Sequence, residues 1–258
     1  MGLSFNNVTY KSNLKKFSYS FEEEKITSII SGEDISYFTY LIGNLEENYE
    51  GKITNTYKGR NIGVVFNKPE EAFVFNTIRE ELEFGLKKYS YKINTINKRI
   101  EDSLKMVNLP IEYLDKSPFE LSSGEKESLA LGIVLSLNPK LIIIDNPTNN
   151  LDNKNKEYLI KLLKKIKTKY NKTIILITND IEFVIKVTDN YLILKNGKII
   201  NTGVKKELLN NINKIKTSKI EITKIIDFIN TSNKKKNINL EPTFDVKELM
   251  KDIYRNVK

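Results

Sequence analysis

The chain has 258 residues, 40% of them hydrophobic and 29% charged, which is long enough for one large domain or a domain with an appendage. It contains no cysteine and no histidine, which excludes disulfides, thiolate metal sites and the usual general base near neutral pH. The net charge of +9 comes almost wholly from lysine in a chain crowded with Asn and Ile, so we attribute it to the codon bias of an AT-rich bacterium and expect no nucleic-acid partner.

Short β-rich runs alternate with helical patterns, and no run approaches the length of a membrane span. In chain order the patterns predict a strand Leu3–Tyr10, a strand Ile26–Ile30, a helix Ser36–Leu45, a strand Ile62–Phe66, helices Thr77–Leu86, Ile96–Val107 and Gly124–Leu137, a strand Leu141–Asp145, a helix Lys154–Lys167, a strand Thr173–Thr178, a helix Ile181–Val187, and strands Tyr191–Leu194 and Lys198–Ile200. Buried strands that alternate with helices predict an α/β fold with a mostly parallel sheet.

The pattern of residues in the sequence changes after Gly203. A helical stripe is formed by Ile220, Ile222, Ile225, Ile226 and Ile229. The segment TSNKKKNIN then reads as a polar linker, and a last amphipathic helix follows around Val246, Leu249 and Ile253. We therefore expect a main domain over residues 1–204, with a helical subdomain at about 70–138, and a helical extension over 205–258.

The segment SIISGEDISYFTYLIGNL has the strand, loop and helix of a phosphate-binding loop, with Ser31, Gly32 and Ser36 at the loop positions. That chemistry needs several glycines and a lysine. Here one glycine remains, Glu33 and Asp34 occupy the loop, and the segment contains no lysine. By itself the segment is typical of an ordinary strand-to-helix turn with an acidic cap.

The segment SPFELSSGEKES predicts the start of a helix. Ser122 and Glu125 have the spacing of a capping box, which is the favoured interpretation of these two residues alone. Ser123 and Gly124 lie at the same helix start, where a hydroxyl and free N–H groups can bind an anion without a lysine.

Two further strands end in polar residues. LIIIDNPTNNLD delivers Asp145 to the end of a buried strand, where a carboxylate can hold magnesium or merely cap a turn. The next residue, Asn146, cannot take a proton from water at neutral pH. In TIILITNDIEF, Asn179 and Asp180 follow a strand, and helix capping explains both of them.

The order and spacing of these segments are more specific than any one of them. Ninety residues separate Ser31 from Leu121, 24 more lead to Asp145, and a further 34 lead to Asn179. With Asn67 in GVVFNKPEEAFVF, this layout resembles an ATP-binding-cassette (ABC) ATPase subunit over about residues 2–203. LSSGE resembles the family's signature, LIIIDNPTNNLD its Walker B motif and D-loop, and ITND its switch. The FNKPE…ELEFG segment and the tail are similar to the energy-coupling-factor branch, which powers vitamin and metal-ion uptake.

The departures from the family pattern are as informative as the matches. The resemblance implies ATP and Mg²⁺ as cofactors, but the Walker lysine has no counterpart. The Q-loop glutamine corresponds to Asn67, the catalytic glutamate to Asn146 and the switch histidine to Asn179. Asp145 is kept, as a residual metal ligand or as a structural carboxylate. We expect this chain's own site to hydrolyse ATP poorly or not at all.

Members of the family work as head-to-tail pairs, so the resemblance implies a second ABC ATPase subunit with intact Walker motifs. This chain would lend that partner Ser122, Ser123, Gly124 and Glu125 of the signature and Asp152 of the D-loop. The branch further implies a transmembrane coupling subunit, a substrate-binding membrane protein, and a peripheral location on the cytoplasmic face of the bacterial plasma membrane. Two alternatives stay open: a catalytically dead scaffold without ATP turnover, and a self-sufficient homodimeric ATPase.

The triplet Phe73, Val74 and Phe75 lies where cassettes of the family receive helices of their membrane partners. This position predicts a docking surface. Plain core packing explains the triplet equally well.

Overall fold

The computed structural model of the chain describes residues 2–208, 224–236, 238–240, 243 and 246–256. Its strands are β1 (Leu3–Tyr10), β2 (Leu14–Phe21), β3 (Ile26–Ile30), β4 (Glu50–Asn55), β5 (Ile62–Val65), β6 (Leu141–Asp145), β7 (Thr173–Thr178), β8 (Asn190–Lys195) and β9 (Lys198–Val204). They form a three-stranded antiparallel sheet in the order β2-β1-β4 and a six-stranded sheet in the order β5-β6-β7-β3-β8-β9.

The six-stranded sheet is parallel except at its last pair, β8 with β9. Every residue of β3, β6 and β7 is buried, because both faces of the sheet are covered and these strands are rich in Ile and Leu. Parallel strands end at the same edge, so the loops after β3, β6 and β7 emerge side by side. That edge positions most of the candidate site.

The α-helices within the described ranges are α1 (Tyr37–Ile42), α2 (Ile78–Lys88), α3 (Ile93–Met106), α4 (Ser123–Ser136), α5 (Asn153–Tyr170), α6 (Ile181–Val187), α7 (Lys224–Lys236) and α8 (Val246–Asn256). One apolar core lies between α2–α5 and one face of the large sheet. A second fills the space between the two sheets and α1. No helix in the described part of the chain is both long and apolar enough to cross a membrane.

The predicted α/β fold class is confirmed, and the predicted β3, β6 and β7 have the bounds that the structure shows. β2 and β4 were not predicted from the sequence. Both strands carry lysines and other exposed polar side chains, and they are held by pairing with β1 rather than by an apolar run of their own. The predicted helix Ser36–Leu45 is too long at its end, because Gly43 caps α1.

The polar linker predicted for TSNKKKNIN is wrong over its first six residues, which continue α7 through Lys236. Buried Ile226 and Ile229 anchor that helix, and its polar end is fixed by Asn233, which exchanges two hydrogen bonds with the backbone of Leu240. Of the isoleucine stripe, Ile220 and Ile222 lie outside the described residues. The predicted last helix is α8, and the division of the chain near residue 204 stays a prediction.

Candidate functional site

The loop after β3 uses its own side chains to satisfy its backbone. Ser31 Oγ accepts a hydrogen bond from the N–H of Glu33 at 3.0 Å, and Asp34 Oδ1 accepts one from the N–H of Ser36 at 3.0 Å. The Glu33 carboxylate accepts from the N–H of Asn196 at 3.1 Å, which ties the loop to the β8–β9 turn.

A phosphate-binding loop needs free N–H groups and positive charge. In this loop two N–H groups are already occupied, two carboxylates are present, and the helix that follows has six residues. The residues around Ser31, Gly32 and Ser36 therefore do not fit a polyphosphate.

Asp145 ends β6 with only 3% of its surface exposed. Burial is the main cause that raises the pKa of its carboxyl to about 6, and the negative charge of Asp34 also raises it. A hydrogen bond from Ser36 acts in the opposite direction and lowers this pKa. Carboxylate and hydroxyl oxygens are ligands that Mg²⁺ takes, but phosphates normally complete its shell. Within the described ranges, no group of three acidic side chains gathers into a cation site.

Asn146 has a structural explanation. Its φ is 48°, in the left-handed region that Asn tolerates better than other non-glycine residues. Its N–H donates to the carbonyl of Ile177 at 2.8 Å, and its side-chain amide donates to Asp145 Oδ1 at 3.1 Å. An amide held in this way orients the neighbouring carboxylate and cannot act as a base.

Neither of the other two asparagines hydrogen-bonds Asp145 within the described residues, although Asn67 lines the same cavity as Asp145. Asn67 accepts a hydrogen bond from the side chain of Asn149 at 3.1 Å, across the gap between the loops after β5 and β6. Asn179 is exposed, and its neighbour Asp180 caps α6 by accepting from the N–H of Phe183 at 2.9 Å. Of the two residues that could cap this helix, the structure selects Asp180.

The predicted capping box at the start of α4 is confirmed. Ser122 accepts from the N–H of Glu125, and Glu125 accepts from the N–H of Ser122 at 2.9 Å and from its hydroxyl at 2.6 Å. These bonds, the hydroxyl first, hold the pKa of Glu125 below its usual value. Ser123 is exposed, and among the residues that the structure describes its hydroxyl has no hydrogen-bond partner.

Gly124 allows α4 to approach the loop before α5. A Cβ atom at this position would lie 3.3 Å from the carbonyl oxygen of Asn150 and 3.5 Å from Leu151 Cδ2. Asp152, in the same loop, is exposed and caps α5 by accepting from the N–H of Asn155 at 2.7 Å. The signature-like helix start and the loop around Asp152 are therefore neighbours within one chain.

A cavity of about 620 Å³ lies at this junction, where Ser123, Gly124 and Asp145 line it together with Glu127, a residue that was not predicted from the sequence. Glu127 Oε1 accepts from the side chain of Asn150 at 2.8 Å, and its Oε2 is buried without a partner in the described part of the chain. Burial raises the pKa of Glu127 to about 7. The available signal was helical spacing, which places Glu127 on the same face as buried Leu131.

This raised pKa makes a prediction for stability. The folded chain holds a proton on Glu127 up to about pH 7, whereas the unfolded chain releases it near pH 4.5, so stability is lost between these values as the pH rises. Glu127→Gln removes this loss. We expect the variant to exceed the parent by about 1 kcal/mol in unfolding free energy at pH 8, after allowance for solvent screening, and the gain to be absent below pH 4.5.

Urea unfolding across this pH range measures the difference. The exposed Glu101→Gln serves as the matched control and should show no such trend. A Glu127→Gln effect of constant size at every pH would contradict a buried, protonated carboxyl.

Comparisons with known proteins identify the family of the chain. The family described as ABC transporter matches residues 14–149. The chain is 30% identical over 275 residues to the energy-coupling factor transporter ATP-binding protein EcfA1 of Mycoplasma mobile, covering 97% of this chain and 96% of that protein. It is 32% identical over 163 residues to the corresponding EcfA2 of Mycoplasma capricolum, where the match spans 63% of this chain and 56% of the relative.

Solved structures show the same likeness. CbiO1 from Clostridium perfringens, described as part of the ABC transporter complex cbiONQ, aligns with a TM-score of 0.72 and 25% identity over 88% of this chain and 97% of that chain. The ATP-binding cassette MJ0796, described as a dimer bound to ADP and Pi, aligns with a TM-score of 0.70 and 27% identity over 79% and 98%. The family match over more than half of the sequence and the full-length relative show that this chain belongs to the ABC transporter family and has the fold of its ATPase domains.

Proposed function

We propose that this chain is the ATP-binding subunit of an ABC importer of the energy-coupling-factor type and the degenerate half of an asymmetric ATPase heterodimer. One observation carries the proposal: at the helix start that resembles the signature, the exposed Ser123 hydroxyl has no hydrogen-bond partner among the described residues, whereas side chains of the chain's own phosphate loop occupy two backbone N–H groups of that loop. Ser123 has an exposed hydroxyl, while the N–H groups of Glu33 and Ser36 are occupied.

In this arrangement ATP and Mg²⁺ bind at a composite site whose lysine, glutamate and histidine come from a second ABC ATPase subunit. This chain contributes the Ser123 hydroxyl and the N–H groups of Ser123 and Gly124, which the capping box does not occupy and which can stabilise negative charge on a phosphate. Asp152 belongs to the same lent surface. The dimer bound to ADP and Pi that is described for MJ0796 supports nucleotide binding between two such domains.

The chain's own half contributes little chemistry. Its amide at Asn146 cannot accept a proton, and exposed Asn179 has no titratable group. Asp145 remains as a weak cation ligand, since the loop beside it does not fit a phosphate. The competing proposal, a scaffold without ATP turnover, is disfavoured because a scaffold has no use for the exposed hydroxyl of Ser123 beside Gly124.

The three residues of the predicted docking triplet have different environments in the structure. Phe73 is 7% exposed and belongs to the core, so core packing explains it, whereas Val74 is 74% exposed. Buried Glu81 of α2 fixes the turn by accepting from the N–H groups of Val74 at 2.6 Å and Phe75 at 2.7 Å. The Phe75 ring lies 5.1 Å from that of Phe84, which is 53% exposed.

Val74, Phe75 and Phe84 therefore form an apolar surface held rigidly by a buried carboxylate. Exposed apolar surface of this kind is typical of a protein interface. We assign it to a transmembrane coupling subunit, which a substrate-binding membrane protein would accompany. The chain would then lie peripherally on the cytoplasmic face of the bacterial plasma membrane, with an ATPase-type domain over residues 1–204 and a helical extension over 205–258.

The shared composite site predicts unequal effects of two substitutions in this chain. Gly124→Asp places a carboxylate against the partner's phosphate and crowds the carbonyl of Asn150, so ATP turnover by the reconstituted heterodimer should fall about a hundredfold, or about 3 kcal/mol. Asn146→Gly is the matched control, because glycine keeps the left-handed backbone and removes only the amide. It should change turnover less than twofold.

Steady-state ATPase activity of the assembled pair measures both effects, with assembly checked by size-exclusion chromatography. An equal loss from the two variants would show that this chain's own site is working, and the asymmetric proposal would have to be abandoned.

The docking surface is tested separately. Val74→Glu puts a charge into the proposed interface without touching the core, so the chain should be released from membranes that contain its partner subunits. Ile93→Glu, at a 60% exposed apolar residue on the first turn of α3, is the control and should stay bound. If Val74→Glu stays on the membrane fraction at the parent level, the assignment of this surface is wrong.

A further inference from the structure

A second concave surface has no part in the proposed ATP site. It is a groove of about 960 Å³ between α3 and α5, closed by the last turn of α4 and by Lys172, the residue before β7. Among its lining residues, six are cationic and Asp102 is acidic. The cations are Lys98, Arg99, Lys105, Lys161, Lys165 and Lys172. We call this surface the basic groove.

The positive charge of the basic groove is only partly compensated by the protein, through Asp102 in its lining and through Glu157 near Lys161. Within the described ranges of the chain, none of the six cations forms an ion pair, whereas lysines elsewhere on α5 do. Lys156 pairs with Asp180 at 3.0 Å, and Lys167 pairs with Asp189 at 2.8 Å. Like charges brought together in a concavity focus a positive potential, which raises the local concentration of anions.

Lys172 makes the strongest case, because it is a basic residue that is only 8% exposed. Its Nζ donates to the carbonyl oxygen of Asn138 at 3.3 Å. Burial lowers the pKa of Lys172, and the charge of Lys140 lowers it further, with no carboxylate acting against them. A buried ammonium without a counter-charge is costly, and a bound anion would remove that cost.

Arg99 is held in place on the same wall. Its Nη1 donates to the carbonyl oxygen of Ser136 at 2.8 Å, and its guanidinium lies 4.6 Å from the centre of the Tyr91 ring. The groove also presents an apolar floor at Leu162 and the half-exposed ring of Tyr170. Cations beside an aromatic ring suit a ligand that carries phosphates, and the groove has room for a planar group of that ligand.

We propose that the basic groove binds a compact polyphosphorylated anion, the chemistry shared by nucleoside polyphosphates and inorganic polyphosphates. The site is distinct from the lent surface at Ser123, since the groove meets α4 at Ser136, about 20 Å along the helix. A ligand there would bridge α3 and α5, which Tyr158 already joins by donating to the carbonyl of Met106 at 2.8 Å. Tyr158 also lines the cavity behind the signature-like helix start.

Calorimetric titration of the purified full chain with pyrophosphate and, separately, with ADP tests the proposal at physiological salt. The groove variant combines Lys105→Gln and Lys165→Gln, which removes one exposed charge from each wall and leaves buried Lys172 in place. The control combines Lys15→Gln and Lys52→Gln, which makes the same change in net charge on the three-stranded sheet.

We expect one ligand per chain, at least a tenfold loss of affinity in the groove variant and less than a twofold loss in the control. If ADP binds more tightly than pyrophosphate and Tyr170→Ala removes the difference, the ligand is a nucleotide; equal affinities indicate the inorganic source. Equal weakening in both double variants would mean diffuse attraction to a basic protein and would overturn the proposal. Binding that survives in the groove variant, or no binding at millimolar ligand, would overturn it as well.

Discussion

The parallel pairing of β6, β7 and β3 is the constraint on which the rest of the molecule depends. These three strands are buried along their whole length, so they must be covered on both faces, and their C-terminal ends must meet at one edge. That edge brings the loop at Ser31, the carboxylate of Asp145 and the exposed Asn179 together. The fold thus keeps the frame of a phosphate-binding site, which is the frame on which the proposed degenerate site is built.

The departures from the family pattern do not leave this edge of the sheet without local structure. Several positions that depart from the family pattern have a local structural partner: Glu33 holds the backbone of Asn196, Asp34 caps the turn into α1, and Asn146 orients Asp145 from a left-handed backbone. Such bonds stabilise the loop and at the same time occupy the N–H groups that a phosphate would need. At the start of α4 the capping box occupies the N–H groups of Ser122 and Glu125 but leaves the exposed hydroxyl of Ser123 without a hydrogen-bond partner among the described residues.

Strong local patterns made much of this predictable from the sequence. The apolar runs of β3, β6 and β7 and the capping box of Ser122 and Glu125 are written in adjacent residues. Features that arise from contacts distant in sequence were not predictable. β2 and β4 exist through their pairing with β1, and Glu127 meets Asn150 across 23 residues. The basic groove is assembled from α3, α5 and the residue before β7, so no single segment of the sequence could predict it.

A structure of the ATPase pair trapped with a non-hydrolysable ATP analogue tests the central claim most directly. The account predicts that the nucleotide phosphates nearest this chain face Ser123 and Gly124 at the start of α4, and that the loop from Ser31 to Ser36 holds none. Nucleotide phosphates seated in that loop, with the start of α4 left free, would contradict it.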